Sequence, residues 1–245
     1  MARGDVVGCR YGHRMLPPVP DTWPPVPDGL LDAAHRTALD ALSLVRFERY
    51  YDVAGNYAGA TFASIEPNDP MDVTAADLHA LTMLAITVGP GATRRVLEDG
   101  PVRDGLLAAL IATPTGTDLV DASAAELDAA WDLTNKARAA LADPTTKSES
   151  DPWVTAAKLA ARKRPRLLPV RDTLVRRLLG LEPARDGRLE IQVIRSLVAD
   201  PAVLDAIEAA LARARTTAAA EGRTCVYDTT ELRLLDVALW MHAAR

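Results

Sequence analysis

Apolar residues in this chain recur three or four positions apart and are drawn mainly from leucine, alanine and valine, a spacing that gathers them on one helical face. Leu30, Leu31, Ala34, Ala38, Leu42 and Val45 show it first. Phe47 and Phe62 are the only phenylalanines, and aromatic residues make up 4% of the chain, so the aromatic surface that a sandwich or barrel packs between its sheets is missing. A hydrophobic share of 49% over 245 residues is ample for a core and excludes a chain disordered throughout. The expected fold is all-α, more than half helical, with any sheet confined to residues 50–70.

Punctuation divides the chain. Residues 1–27 hold Pro17, Pro18, Pro20, Pro24, Pro25 and Pro27, which remove backbone donors and favour extended chain, and predict an irregular proline-rich arm. Residues 28–245 then form a single all-α domain. Its first helix runs from Asp28 to about Arg49, and Tyr50 to Pro70, with Gly55 and Gly59, is loop with room for a short hairpin. Thr74 with Asp77, and Ser123 with Glu126, stand in capping-box register and start helices that end near Ile86 and Leu141. Between them the spacing predicts helices over 92–99 and 102–111. After a polar linker at 143–150 come helices over 152–164, 172–181, 189–198, 201–220 and 230–243. A helical barrel at about 74–142, a hairpin-like basic region at about 151–181 and C-terminal helices at 189–243 are the expected parts.

Several function classes drop out. Cys9 and Cys225 are too few for a disulfide framework or a thiolate zinc site, and His13, His35, His79 and His242 lack paired-ligand spacing, so neither a metal nor a cofactor is expected. His79 fits a satisfied buried histidine. The chain carries no GxSxG, no phosphate loop and no dinucleotide fingerprint, since Gly89-Pro90-Gly91 lacks a strand before it. With no charged leader and no apolar run near the roughly 20 residues of a membrane span, the expectation is a soluble cytoplasmic protein.

Net charge is −5, yet Lys158, Arg162, Lys163, Arg164, Arg166, Arg171, Arg176 and Arg177 face one acid, Asp172, within twenty residues. A basic island on an acidic chain points to a local anion site, for phosphate or nucleic-acid backbone, or to a face that docks an acidic partner.

The stretch Trp153-Val154-Thr155-Ala156-Ala157-Lys158, followed by Leu168-Pro169-Val170-Arg171-Asp172-Thr173-Leu174-Val175-Arg176-Arg177, resembles the helix-hairpin-helix base-excision DNA glycosylases. In that family a Thr-Ala pair opens a helix and an aspartate heads the next one seventeen residues later, the separation of Thr155 and Asp172. The resemblance implies a glycosylase-like helical fold over about Thr74 to Leu181, with Asp172 as the catalytic carboxylate. It also shows departures. The family's Gly-x-Gly turn, whose amides meet a DNA phosphate, falls on Ser150, Asp151 and Pro152, and its Schiff-base lysine falls on Val154, so lyase chemistry is not carried over. From Tyr50 to the C-terminus, through Arg162-Lys163-Arg164-Pro165-Arg166 and Leu232-Arg233-Leu234-Leu235-Asp236-Val237-Ala238-Leu239-Trp240-Met241, the chain also resembles an uncharacterised actinobacterial domain-of-unknown-function family, which lends no activity.

Cleaving an N-glycosidic bond builds positive charge on the sugar, and a carboxylate near the anomeric carbon stabilises that state or orients the attacking water. Asp172 suits this role. It equally suits an N-cap before Thr173-Leu174-Val175, worth about 1 kcal/mol. Lys158, Arg162, Arg164, Arg166, Arg171 and Arg176 are the candidate phosphate contacts, with a solvated helix end as their other reading. Trp153, Tyr50, Tyr51 and Tyr57 are the candidate stacking residues, while Trp131, Trp153 and Trp240 also fit a core. The function expected from the sequence is a glycosylase-like protein that binds a nucleoside or nucleic acid and hydrolyses an N-glycosidic bond as a monofunctional N-glycosidase; its rival is a non-catalytic helical adaptor.

Overall fold

A computed structural model describes residues 15–142, 152–182 and 186–245 and folds them into twelve helices. In chain order these are α1 (Leu30–Leu44), α2 (Phe47–Tyr50), α3 (Thr61–Ser64), α4 (Ala75–Thr82), α5 (Pro90–Leu97) and α6 (Pro101–Ala112). Then follow α7 (Ala124–Leu141), α8 (Trp153–Lys163), α9 (Thr173–Leu178), α10 (Gly187–Val198), α11 (Pro201–Glu221) and α12 (Glu231–Ala243). More than half of the chain is helical, as its composition requires.

Helix starts follow cap chemistry. Both capping boxes close: the amides of Thr74 and Ser123 donate to Asp77 and Glu126 at 2.7 and 2.8 Å. Asp172, Asp186, Asp200 and Thr230 cap α9, α10, α11 and α12 through their side chains. Three local expectations are corrected. The first helix breaks after Leu44, where Val45 turns extended, and resumes as α2. The 50–70 loop forms no hairpin: it carries α3 and pairs instead with the loop before α12, where the amides of Val53 and Val226 donate to Thr224 and Tyr51 around one isolated bridge, Asp52 to Cys225. Gly55 and Gly59 turn the chain too early for a self-paired ribbon. His79, expected inside, is exposed.

The helices gather in two groups. In one, α7 packs against α5, α6 and α8, and α4 against α8; in the other, α1 packs against α10, α11 and α12, α2 lies mainly on α11, and α9 on α12. One apolar cluster runs through both, with Leu42, Leu81, Leu110 and Leu235 fully buried. Cutting any of these to alanine costs roughly 2–5 kcal/mol. The described part of the arm, residues 15–27, is non-helical but docked: Trp23 is buried and donates to Asp128 on α7 at 2.9 Å, and the Pro24 and Pro17 carbonyls accept from Gln192 and Arg195 on α10.

Short helices leave many carbonyls at their ends without a helical partner, and an interior without water must satisfy them. Buried arginines do so. Arg164 donates to Leu110 and Thr113 at the end of α6 and to Pro70; Arg162 to Phe62 and Ile65 at the end of α3; Arg195 to Leu119 and Ala122. The basic island is therefore largely interior. Arg162 and Arg164 are 1% and 0% exposed, and the island does not form one solvent-facing rim.

Candidate functional site

A cavity of about 450 Å³ opens along the seam between the two helical groups. Its walls come from the loop after α2, the turn after α4, α8, the start of α9, and α12.

Asp172 reaches it from the head of α9. Asp172 is extended (φ −139°, ψ 147°), so Oδ1 turns back to accept the Leu174 amide at 2.9 Å while Oδ2 lies 3.2 Å from Lys158 Nζ. The two readings of this residue are thus compatible: it caps a helix and faces a cavity.

Lys158 extends from α8 and also donates to the Leu84 carbonyl at 3.3 Å. That carbonyl is presented by a Schellman turn ending α4, in which the Ile86 and Ala85 amides donate to Leu81 and Thr82. Ala85 occupies the left-handed position at φ 58°, where glycine is usual, and holds roughly 1 kcal/mol of strain in the cavity wall.

Three rings form the apolar wall. Tyr50 and Tyr57 stack with centroids 5.7 Å apart, and Trp240 meets each of them edge-on at 6.1 Å. Gly59, at φ 53°, lets this loop close: a β-carbon there would stand 3.1 Å from the Tyr50 carbonyl oxygen. Tyr57 remains half-exposed.

The polar wall belongs to α12 and the loop before it. Asp236 is buried, accepts the Val170 amide at 2.8 Å and lies 3.1 Å from Arg233 Nη1. Burial pushes its carboxyl up to about 7, against the opposing pull of Arg233 and that amide. Asp228 is likewise raised by burial, opposed by the Tyr51 hydroxyl, which donates to it at 2.8 Å, and by Arg233. Burial also raises the phenols of Tyr50 and Tyr51, keeping them neutral donors. Three carboxylates, Asp172, Asp228 and Asp236, therefore share the cavity with two cations, Lys158 and Arg233.

Of the residues singled out from sequence, Asp172, Lys158, Tyr50 and Tyr57 meet on this cavity. Tyr51 is buried behind it as the donor to Asp228. Trp153, Arg171 and Arg176 line a separate groove of about 860 Å³, where Arg171 lies over both Trp131 and Trp153, and Arg176 over Trp153. Gly187 leaves the room for Arg171, whose guanidinium a β-carbon would strike at 2.3 Å. Arg166 is on the surface, paired with Asp118 at 2.6 Å, while Arg162 and Arg164 are inside. Ser150 and Asp151, aligned with the glycosylase turn, lie outside the described residues; Pro152 precedes α8.

Sequence reasoning missed Asp228, Arg233 and Asp236. The signal was present in α12, where Asp236 interrupts Leu234-Leu235 and Val237-Ala238-Leu239: a carboxylate in an apolar run, three residues after an arginine, marks a buried pair. Among the described residues no group of three or more His, Cys, Asp or Glu side chains is placed to hold a metal ion, and no helix is long and apolar enough to cross a membrane.

The model of a family of unknown function, DUF6308, matches residues 43–243. No curated protein and no solved structure matches the chain.

Proposed function

We propose that this chain, which belongs to the DUF6308 family of unknown function, binds a free nucleoside in its seam cavity and hydrolyses the N-glycosidic bond with Asp172. The observation that carries this reading is that Asp172 opens into a cavity of small-molecule size, toward the low end of the roughly 300–1,000 Å³ range, between aromatic rings and further carboxylates.

In this reading the base stacks against Tyr57 and its neighbouring rings, and the sugar lies toward the acids. Water adds its oxygen to the anomeric carbon as the carbon–nitrogen bond breaks. The bonding pair leaves with the base, and a proton from the water passes through Asp172 to the base nitrogen. Lys158 and the Leu174 amide hold the carboxylate against the positive charge that develops on the sugar. The likeness to helix-hairpin-helix glycosylases supports the same residue in the same role, at the head of a helix. A free nucleoside suits the site better than a polynucleotide, because Arg162 and Arg164 are buried and absent from the cavity wall, where acidic side chains outnumber basic ones three to two. A docking adaptor would need those same arginines on its surface.

Release of free base from a panel of nucleosides, RNA and damaged DNA tests the activity, and Asp172→Asn tests the residue. Asparagine caps nearly as well as aspartate, so the fold should persist, ligand affinity should stay within a few-fold and the rate should fall by about 10²-fold. Unchanged release by the variant would refute the assignment.

A further inference from the structure

We propose that the groove beside α9 is a second binding site, for the phosphate group of a small phosphate monoester, held by Arg171 and Arg176. It is separate from the seam cavity and independent of the nucleoside reading: Arg171 lines the groove, while its chain neighbour Asp172 lines the cavity.

Arg171 and Arg176 are 4% and 8% exposed, and both turn toward one oxygen of Glu190, with Nε of Arg171 at 2.8 Å and Nε of Arg176 at 3.7 Å from Oε2. Arg176 Nη2 donates to the Leu181 carbonyl at 3.2 Å. Among the described residues no acceptor meets Nη1 or Nη2 of Arg171, or Nη1 of Arg176. These three nitrogens are open to water, unlike the sealed Nη1 of Arg233. Two guanidiniums more than nine-tenths buried thus keep unpaired donors toward the groove.

Packing fixes where the donors of Arg171 point. A β-carbon on Gly187 would lie 2.3, 2.3 and 2.5 Å from its Cζ, Nη2 and Nη1, so Gly187 covers one face of the guanidinium, and the guanidinium lies over Trp153 and Trp131 with centroids 5.0 and 5.8 Å away. The N–H bonds lie in the guanidinium plane, so with its faces covered they leave by the edge, into a groove of about 860 Å³. Helix α10 opens at Gly187 and turns the positive end of its dipole to the same place.

The charges there leave a positive excess. Of the acids lining the groove, Asp186 is matched by Arg188 at 2.7 Å and Glu182 by Arg177 at 3.0 Å. Glu190 then stands alone against Arg171 and Arg176. Burial raises its carboxyl against the pull of Arg171, so it offsets at most one of the two positive charges. An organic cation would be repelled. A carboxylate would supply two oxygens and one charge, whereas a phosphate monoester supplies three terminal oxygens and up to two charges, a match for the three open nitrogens. The groove's volume lies within the roughly 300–1,000 Å³ of small-molecule sites and leaves room for the organic part of the ester.

Calorimetry on the full chain with inorganic phosphate, glycerol 3-phosphate and acetate tests this. Both phosphates should bind with a Kd of about 1 mM or tighter in physiological salt, and at least tenfold more tightly than acetate. Arg171→Gln should weaken them by about 10- to 100-fold, the size expected for hydrogen bonds to a charged group. Gly187→Ala makes the decisive variant should that protein not fold: its β-carbon meets only the movable end of Arg171, so the fold and net charge stay while the guanidinium is displaced, and affinity should fall about tenfold. Arg166→Gln, a surface change elsewhere, should alter affinity by less than twofold. Absence of phosphate binding, equal binding of acetate, affinity that survives Gly187→Ala, or an equal loss in Arg166→Gln would overturn the inference. So would a single-stranded oligonucleotide that binds more tightly than glycerol 3-phosphate and loses its affinity in Gly187→Ala, which would assign the groove to nucleic acid.

Discussion

Lys158 and Arg162 stand one turn apart on α8, yet the charge around them is organised in opposite ways. At Arg162 a single carboxylate, Asp77, meets two cations, Arg162 at 2.8 Å and Lys163 at 2.6 Å, and backbone carbonyls take further donors of both. All three side chains are buried there, and the desolvation that lowers the Lys163 ammonium is opposed directly by Asp77. At Lys158 the proportion is reversed, with three acids for two bases around a cavity, and one buried guanidinium nitrogen of Arg233 lacks a hydrogen-bond partner. A buried charge whose neighbours complete it is scaffold; one whose neighbours stop short waits for something from outside. The two places differ in burial as well: the side chains around Asp77 are fully enclosed, whereas Asp172 is 17% exposed.

Breaking the closed cluster should have the largest effect. Asp77→Ala removes the α4 capping box and strands two buried cations, and should cost about 3–5 kcal/mol in urea unfolding. A loss below about 1 kcal/mol would deny it a scaffold role.

The open cluster should show itself through pH. The folded form keeps a proton on Asp236 up to about 7, whereas the unfolded chain releases it near the ordinary value of 3.8. This contribution to stability is therefore complete below about pH 4, declines as pH rises through 7, and amounts to about 4 kcal/mol at most. Arg233, Glu190, Asp228 and the Val170 amide are the groups acting on it. Urea midpoints across pH 4 to 8 should fall in the wild type and flatten in Asp236→Asn; parallel curves would show that Asp236 does not titrate in that window.

Tyr57→Ala separates site from scaffold on a smaller scale. Because the ring is half-exposed, stability should change by less than about 1 kcal/mol, while affinity for a bound carbocyclic nucleoside should drop about tenfold through lost stacking. The smallest effect belongs to Ala85→Gly. Relief of the left-handed strain, less the added freedom of the unfolded chain, should raise stability by about 0.5 kcal/mol, measured as a small increase in urea midpoint.

Much of the scaffold was legible because it is local chemistry. Thr74 with Asp77, Ser123 with Glu126, and Asp172 before Thr173 mark helix starts by side-chain reach across three residues, and the structure places helices there. Asp172 stood out in the sequence as a candidate carboxylate and as an N-cap; that it also lies on a cavity is visible only in the structure. The basic island was not, because a run of lysines and arginines looks the same whether it meets water or carbonyls. The clue lay in its neighbours: Ala156, Ala157, Ala160 and Ala161 wrap α8 in small residues, which fits a helix enclosed by others, and residues 156–163 are all buried. Asp228, Arg233 and Asp236 join Asp172 only through contacts across some sixty residues of chain, and no local pattern encodes such a meeting.

The docked arm changes where this chain can be cut. Family similarity begins at residue 43, inside α1, yet the fold does not. Ala34, Ala38 and Ala41 face α10, α11 and α12, Trp23 is anchored on Asp128, and Arg195 ties the Pro17 carbonyl to the loop before α7. A fragment trimmed to the matched residues would expose the inner faces of three helices and leave Arg195 without one of its acceptors, so the cooperative unit is longer than the inherited one.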